Sequence, residues 1–244
     1  MRNIKLIVQY DGSGFSGFEI QPRQRTVRFE LEKALFKLFK QRAKLISSSR
    51  TDSGVHALHS VVNFKIDSSI PTKSLAAALN GLLSEDIRVI KAEAKGQRQK
   101  AKGFHARYDA KSKEYEYLIF NGQILPPHLR KIVWHVKPKL DLAKMKKAAK
   151  FLVGRHDFKE FCAAKSGKTN FVRTIYKISI RKKKIKIWDR GDVPVVSCVV
   201  NGDGFLYKMV RNIVGRLVEV GLGKQKPARR CAPGQGLCLL SVEY

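Results

Sequence analysis

Apolar and polar residues alternate in the first third of the chain in a way that predicts a definite order of strands and helices. Residues 4–10 alternate with period two, as a strand does, and residues 27–39 place their apolar side chains on one helical face. Short strands are predicted at 44–47 and 61–66. A helix with Thr72 as its N-cap and a strand at "DIRVIKAEA" complete the order β-α-β-β-α-β.

The same order of elements begins again after "KGQRQKAKG", residues 95–103, which is predicted to be a linker or mobile loop. The later predicted strands are "KEYEYLIF", "TIYKISI", "KIKIW", "VPVVSCVVNG" and "GLCLLSVEY", and the helices cover 142–152 and 205–220. We therefore predict an α+β fold of two split βαβ (ferredoxin-like) halves, residues 1–104 and 105–244. The halves are expected to join into one mostly antiparallel sheet with helices on one face and a cleft for a large ligand.

The charge of the chain indicates the class of that ligand. Among 244 residues, 49 are Lys or Arg and only 20 are Asp or Glu, which gives a net charge of +29. A domain this basic is typical of nucleic-acid binding. An anionic membrane surface is the alternative, but the chain has no apolar run of transmembrane length and no signal-peptide core, so we expect no membrane association.

The cysteines add little chemistry. Cys162, Cys198, Cys231 and Cys238 form no CxxC pair, and without an export signal they are interpreted as free thiols in a reducing cytoplasm. Their spacing to His56 and His59 fits no standard zinc pattern, so no metal is expected. "YDGSGFSG" follows a strand but matches neither GxGxxG nor a Walker loop, so no nucleotide cofactor is expected either.

The segment "RTDSGVH" allows two interpretations. In one, residues 51–54 form an ordinary turn in which Asp52 and Ser53 bond to local amides and Gly54 supplies a positive φ. In the other, the turn presents the Asp52 carboxylate at the rim of a sheet for chemistry. Arg50 would keep that carboxylate ionised, which suits a nucleophile or a base. The local pattern alone favours the ordinary turn, because such turns are common.

Other candidate residues also have a structural alternative. Tyr115 and Tyr117 share one face of a predicted strand, where they could pack in a core or stack on a nucleobase. Arg211 lies off the apolar stripe of its predicted helix, as either a surface arginine or a partner of Asp52. Arg23 and Arg25, in a predicted loop, and His56 are further candidates for substrate contact.

Seven segments, in order, resemble the TruA family of tRNA pseudouridine synthases over almost the whole chain. They are "YDGSGFSGF", "SSSRTDSGVHAL", "LNGLLSEDIRV", "FHARYDAKSKEYEYLIF", "DFKEFCA", "FLYKMVRNIVGRLVEVG" and "GLCLLSVEY". The resemblance implies that Asp52 is the catalytic nucleophile and that Arg211 pairs with it. It also implies that Tyr115 packs on the target uracil and that Arg50 contacts the RNA backbone or the flipped base.

The resemblance further implies an activity. Members of this family isomerise uridines on the 3′ side of the tRNA anticodon stem-loop (positions 38, 39 and 40), as homodimers without cofactor or metal. Two alternatives remain for this chain, a non-catalytic RNA-binding protein and a synthase that acts on another RNA.

The chain departs from the family pattern in a few places. Phe18 and Glu19 stand where Trp and Gln are usual, Ser53 replaces Ala, and Ser84 replaces Pro. The segment 223–236 is short, as though a C-terminal helix were trimmed. The first and the last of these departures, at Phe18 and Glu19 and in the segment 223–236, are expected to affect tRNA contacts or the dimer.

Overall fold

The computed structural model describes residues 1–95, 103–163, 169–186, 191–224 and 231–244, which form two compact units. The first unit comprises residues 1–111 and 239–244, and the second comprises residues 112–238. In chain order the described strands and α-helices are β1 (Arg2–Tyr10), α1 (Val27–Phe39), β2 (Ile46–Ser47), β3 (His56–Ile66), α2 (Thr72–Asn80), β4 (Ile87–Lys95), β5 (Ser112–Phe120), β6 (Trp134–His135), α3 (Leu142–Lys150), β7 (Gly154–Asp157), β8 (Val172–Lys186), β9 (Asp192–Gly202), α4 (Met209–Gly221) and β10 (Leu237–Glu243). The division at residue 104 stays a prediction.

In the first unit, β1 is an inner strand of a sheet with the order β4-β1-β3-β10. The two-residue strand β2 pairs with β3. The neighbours of β1, β3 and β4, both run antiparallel to it. The alternation that predicted β1 follows from burial, because Ile4, Leu6 and Val8 are fully buried while the residues between them are partly exposed.

Both helices of the first unit begin close to the predicted residues. Thr26 caps α1, and its hydroxyl accepts a hydrogen bond from the backbone N of Phe29. The prediction of Thr72 as an N-cap is wrong, because Pro71 occupies the cap and Thr72 is the first helical residue. Asn80, at the end of α2, exchanges two hydrogen bonds of 2.7 and 2.9 Å with the backbone of Val89 in β4. These bonds fix the helix end to the sheet.

The second unit contains strands in the order β5-β9-β8-β7, all antiparallel, with the short β6 parallel to β5. "TIYKISI" and "KIKIW" were predicted as separate strands, but both contribute to the single strand β8, which pairs with β9 along nearly its whole length. Trp188 of the second segment lies outside the described residues, as do residues 96–102 of the predicted linker. The α+β fold class with mostly antiparallel strands is confirmed.

The helices α3 and α4 of the second unit pack against each other. Asp141 caps α3 by accepting a hydrogen bond of 3.0 Å from the backbone N of Lys144. Gly221, the last residue of α4, permits a close approach, because a Cβ there would lie 2.8 Å from Cγ of Met145 in α3. None of the helices in the described ranges is long and apolar enough to span a membrane.

Candidate active site

The segment 50–55 forms the connection between β2 and β3. The backbone N of Val55 donates a 3.1 Å hydrogen bond to the carbonyl O of Asp52, which closes a turn, and Gly54 has the predicted positive φ of 77°. The conformation is therefore the ordinary turn that the sequence predicts. It also places the partly buried Asp52 between the buried Thr51 and the exposed Ser53.

Thr51 fixes the start of this turn to the core of the first unit. Its side chain is buried, and its hydroxyl lies 2.8 Å from the hydroxyl of Tyr10, at the end of β1. Its carbonyl O accepts a 3.0 Å hydrogen bond from the backbone N of Phe18. The residue immediately before Asp52 is thus held by both its side chain and its backbone.

The glycine-rich segment 11–18 packs directly on the turn. The carbonyl O of Phe15 accepts bonds of 3.3 Å from the backbone N of Gly54 and from the hydroxyl of Ser53. A Cβ on Gly12 would lie 2.1 Å from the carbonyl O of Val55, and Gly17 combines a φ of +99° with a predicted Cβ position 3.0 Å from the carbonyl O of Thr51. Gly12 and Gly17 of "YDGSGFSG" therefore allow the backbone of the loop to lie against the backbone of the turn. Sequence reasoning missed this role, since the two segments are far apart in the chain.

His56 connects the same segment to the start of β3. Its side chain is only 12% exposed, and its Nδ1 lies 3.1 Å from the backbone N of Gly12 and 3.2 Å from Oδ1 of Asp11.

Burial and the nearby Lys5 lower the pKa of His59, which lies on the same strand as His56. Within the described ranges, no group of three or more His, Cys, Asp or Glu side chains is placed to hold a metal ion.

The side chain of Arg25 binds other residues of the first unit. Its guanidinium makes a bidentate ion pair with Asp86, at 2.6 and 2.8 Å, and donates to the hydroxyl of Ser84 at 2.7 Å. It also lies over the ring of Phe15, 4.2 Å from the centroid. The hydrogen bond from Arg25 holds the pKa of Asp86 below its ordinary value. Ser84, a departure from the family pattern, thus belongs to a cluster that supports the loop on the turn.

The other two arginines of the first unit singled out by the sequence are exposed. Arg23 lies in the loop before α1 with a φ of +57°. The side chain of Arg50 is 67% exposed, and its Nε lies 3.0 Å from Oε1 of Glu19. Of the candidates in this unit, Arg50 is therefore placed on the turn beside Asp52, while Arg25 supports the adjoining loop.

Tyr115 and Tyr117 of the second unit share a strand face, as predicted, but have different surroundings. Tyr115 is 7% exposed and meets the ring of Phe205 edge to face, with centroids 5.3 Å apart. Tyr117 is fully buried, and its hydroxyl donates a 2.7 Å hydrogen bond to the carbonyl O of Pro233. Burial raises the pKa of Tyr117 above its ordinary value, which suits a neutral core residue.

Arg211 is the third residue of α4, which begins at Met209 and not at residue 205 as predicted. Its Nε donates a 2.7 Å hydrogen bond to the carbonyl O of Ala232, and its own carbonyl O accepts one of 3.2 Å from the backbone N of Ala232. The segment 223–236, which is shorter than in the family pattern, thus holds one helix residue and one strand residue in place: Ala232 binds Arg211, and Pro233 binds Tyr117. Residues 225–230 of that segment lie outside the described residues.

Comparison with known proteins shows the family of the chain. A family model described as tRNA pseudouridine synthase matches residues 6–109 and 148–244. The chain is 40% identical to tRNA pseudouridine synthase A of Thermoanaerobacter sp. (strain X514) and 43% identical to tRNA pseudouridine synthase A 2 of Clostridium perfringens, in both cases over 100% of each chain. It is 40% identical to tRNA pseudouridine synthase A of Bacillus subtilis, over 99% of this chain and 98% of that one. Because the family model covers more than half of the chain and the relatives align with it from end to end, the chain belongs to the tRNA pseudouridine synthase family.

Proposed function

We propose that this protein isomerises uridine to pseudouridine on the 3′ side of the tRNA anticodon stem-loop, at positions 38, 39 and 40, with Asp52 as the nucleophile. The observation that carries the proposal is the construction of the turn. Thr51 anchors it to β1, the loop at residues 11–18 packs along it, and Asp52 is its central carboxylate. A carboxylate held in this way is pre-organised for a reaction.

The reaction breaks the C1′–N1 bond of a uridine and forms a C1′–C5 bond after the uracil turns. N1 gains a proton and C5 loses one, so the reaction is an isomerisation with no net oxidation. Asp52 attacks either the sugar or the base, and both routes need an ionised carboxylate as electron-pair donor. Before either route the target base has to leave the helical stack.

The other candidate residues serve this step in the proposal. Tyr115 packs on the flipped uracil, Arg211 pairs with Asp52, and Arg50 contacts the RNA backbone or the base. Their contacts are consistent with these roles, because Arg211 is oriented through Ala232 and Tyr115 is braced by Phe205. Arg23 and His56 remain proposed substrate contacts. Arg25 is proposed to act indirectly, since its guanidinium is bound to Asp86.

The net charge of +29 supports a polyanionic substrate, and exposed cations on β8, among them Arg181, Lys182 and Lys184, offer phosphate contacts. We also infer a homodimer from the family resemblance, and a cytoplasmic location from the cysteines, which are interpreted as free thiols in a reducing compartment. Neutralising phosphates would supply much of the affinity without selecting a base.

The purified protein should release tritium from tRNA labelled at C5 of uridine, because the new glycosidic bond displaces the hydrogen of C5. A base-resolved map should then place pseudouridine on the 3′ side of the anticodon stem-loop. RNA binding without label release would identify a non-catalytic RNA-binding protein. Label release confined to another RNA would overturn the proposed substrate.

Arg211→Ala should lower the turnover number about tenfold or more and change tRNA affinity little, because the proposed role is to orient one carboxylate. Lys182→Ala is the matched control, since it removes one exposed cation from β8. That variant should weaken binding slightly and leave turnover at saturating tRNA unchanged. Single-turnover rates and filter-binding affinities distinguish the two, and equal effects on both quantities would contradict the assignment.

A further inference from the structure

Glu19, which departs from the family pattern, lies between two arginines of the first unit. Its Oε1 is 3.0 Å from Nε of Arg50, and its Oε2 is 2.9 Å from Nη1 of Arg28. Arg28 is held on its other side by Glu32, with Nε and Oε1 2.8 Å apart. A chain of ion pairs therefore runs from α1 to the arginine of the turn.

Hydrogen bonds hold the backbone next to Glu19 to both the turn and α1. Phe18 is buried; its backbone N donates to the carbonyl O of Thr51 at 3.0 Å, and its carbonyl O accepts from the backbone N of Arg28 at 2.9 Å. The same residue thus joins the start of the turn to the first turn of α1. The backbone position of Glu19 is therefore fixed relative to both of its partners, Arg28 and Arg50.

Arg50 is the least constrained member of the cluster. Its side chain is 67% exposed, against 33% for Glu19 and 21% for Arg28. An exposed arginine samples many rotamers, and ordering one has a cost in conformational entropy. A partner that orders it before the substrate arrives removes part of that cost from binding.

The carboxylate of Glu19 makes two arginine contacts of a kind that a glutamine side chain would not reproduce together. Each oxygen of Glu19 contacts a different arginine: Oε2 accepts a hydrogen bond from Nη1 of Arg28, and Oε1 forms an ion pair with Arg50. In a glutamine at this position, one of the two oxygens is replaced by an NH₂ group that only donates, so one of the two arginine contacts made by Glu19 would be lost. The contact with Arg50 uses Nε, which leaves the two terminal amino groups available for a phosphate or a base edge.

We propose that Glu19 is a positioning residue that orients the guanidinium of Arg50 for contact with the RNA at the Asp52 turn. This inference rests on the proposed function, in which Arg50 contacts the substrate. The opposite role is a carboxylate that weakens the local positive field. The two differ in sign, because removing the charge of Glu19 would impair binding in the first case and strengthen it in the second.

Glu19→Gln tests the proposal with almost no change in volume. It should raise KM for tRNA and lower kcat/KM about fivefold, with kcat at saturating tRNA changed less than about twofold. Glu32→Gln is the matched control, because it removes a carboxylate from Arg28 and leaves the partner of Arg50 in place. Glu32→Gln should keep kcat/KM within about twofold of wild type, and equal melting temperatures of the two variants would exclude a general effect on folding.

A double-mutant cycle with Arg50→Ala separates positioning from other effects. In the Arg50→Ala background, Glu19→Gln should change kcat/KM by less than about twofold, because the residue it positions is gone. An unchanged or increased kcat/KM of Glu19→Gln, full additivity in the cycle, or an Arg50→Ala variant with wild-type kcat/KM would each overturn the proposal. A wild-type protein that releases no label from any tRNA would instead overturn the proposed function itself.

Discussion

Asp52→Asn should abolish pseudouridine formation while the protein still folds and binds tRNA. The substitution keeps the size of the side chain and most of its hydrogen-bonding capacity, but it removes the anion that either route requires. The hydrogen bond from Val55 to the carbonyl O of residue 52 uses the backbone, so it survives the change. We expect label release to fall at least about a thousandfold.

The control for this prediction is Asp192→Asn, which removes an exposed carboxylate that pairs with Lys184 at 3.5 Å in the second unit. It should leave label release unchanged. Melting temperature and tRNA affinity of Asp52→Asn should both match wild type. Label release by Asp52→Asn near the wild-type rate would remove the catalytic role of the turn and leave only its structural one.

The sequence predicted those elements whose burial is periodic. In β1 and α1 the apolar residues recur at the period of the element, and the observed bounds lie within two residues of the predicted ones. The sequence prediction splits β8 because its residues 181–184, "RKKK", carry no apolar signal. In the structure that part pairs with β9, and Lys183 also donates hydrogen bonds to Glu116 of β5. β6 and β7, with two and four residues, are too short to show a period.

The candidate site was predictable only in part, because local sequence signals mark its turn but not the contacts between residues that are far apart in the chain. The Asp-Ser-Gly sequence indicates a turn at residue 52, since each residue type favours a turn by itself. The ion pair of Arg25 with Asp86 joins residues 61 positions apart, and nothing local marks it. The pairing of Arg211 with Asp52 and the stacking of Tyr115 on uracil stay predictions, because they follow from the family resemblance.

The contact of the glycine-rich loop with the turn provides a second prediction of large effect, Gly12→Ala. A Cβ at residue 12 would lie 2.1 Å from the carbonyl O and 2.4 Å from the carbonyl C of Val55. Both neighbours are backbone atoms, so no side-chain rotation relieves the overlap, and the loop and the turn have to move apart by roughly 1 Å. That movement also weakens the contact between the backbone N of Gly12 and Nδ1 of His56.

We expect Gly12→Ala to reduce stability by about 2 kcal/mol and label release about a hundredfold, because a displacement of that size at a reacting group is enough to disrupt its alignment. Gly81→Ala is the matched control: its Cβ would meet only Ala77 and Ala78, at 3.8 and 3.7 Å, which is ordinary contact. Rates measured well below both melting temperatures separate displacement of Asp52 from unfolding. If Gly12→Ala were as active and as stable as Gly81→Ala, the loop at residues 11–18 would not set the position of the turn.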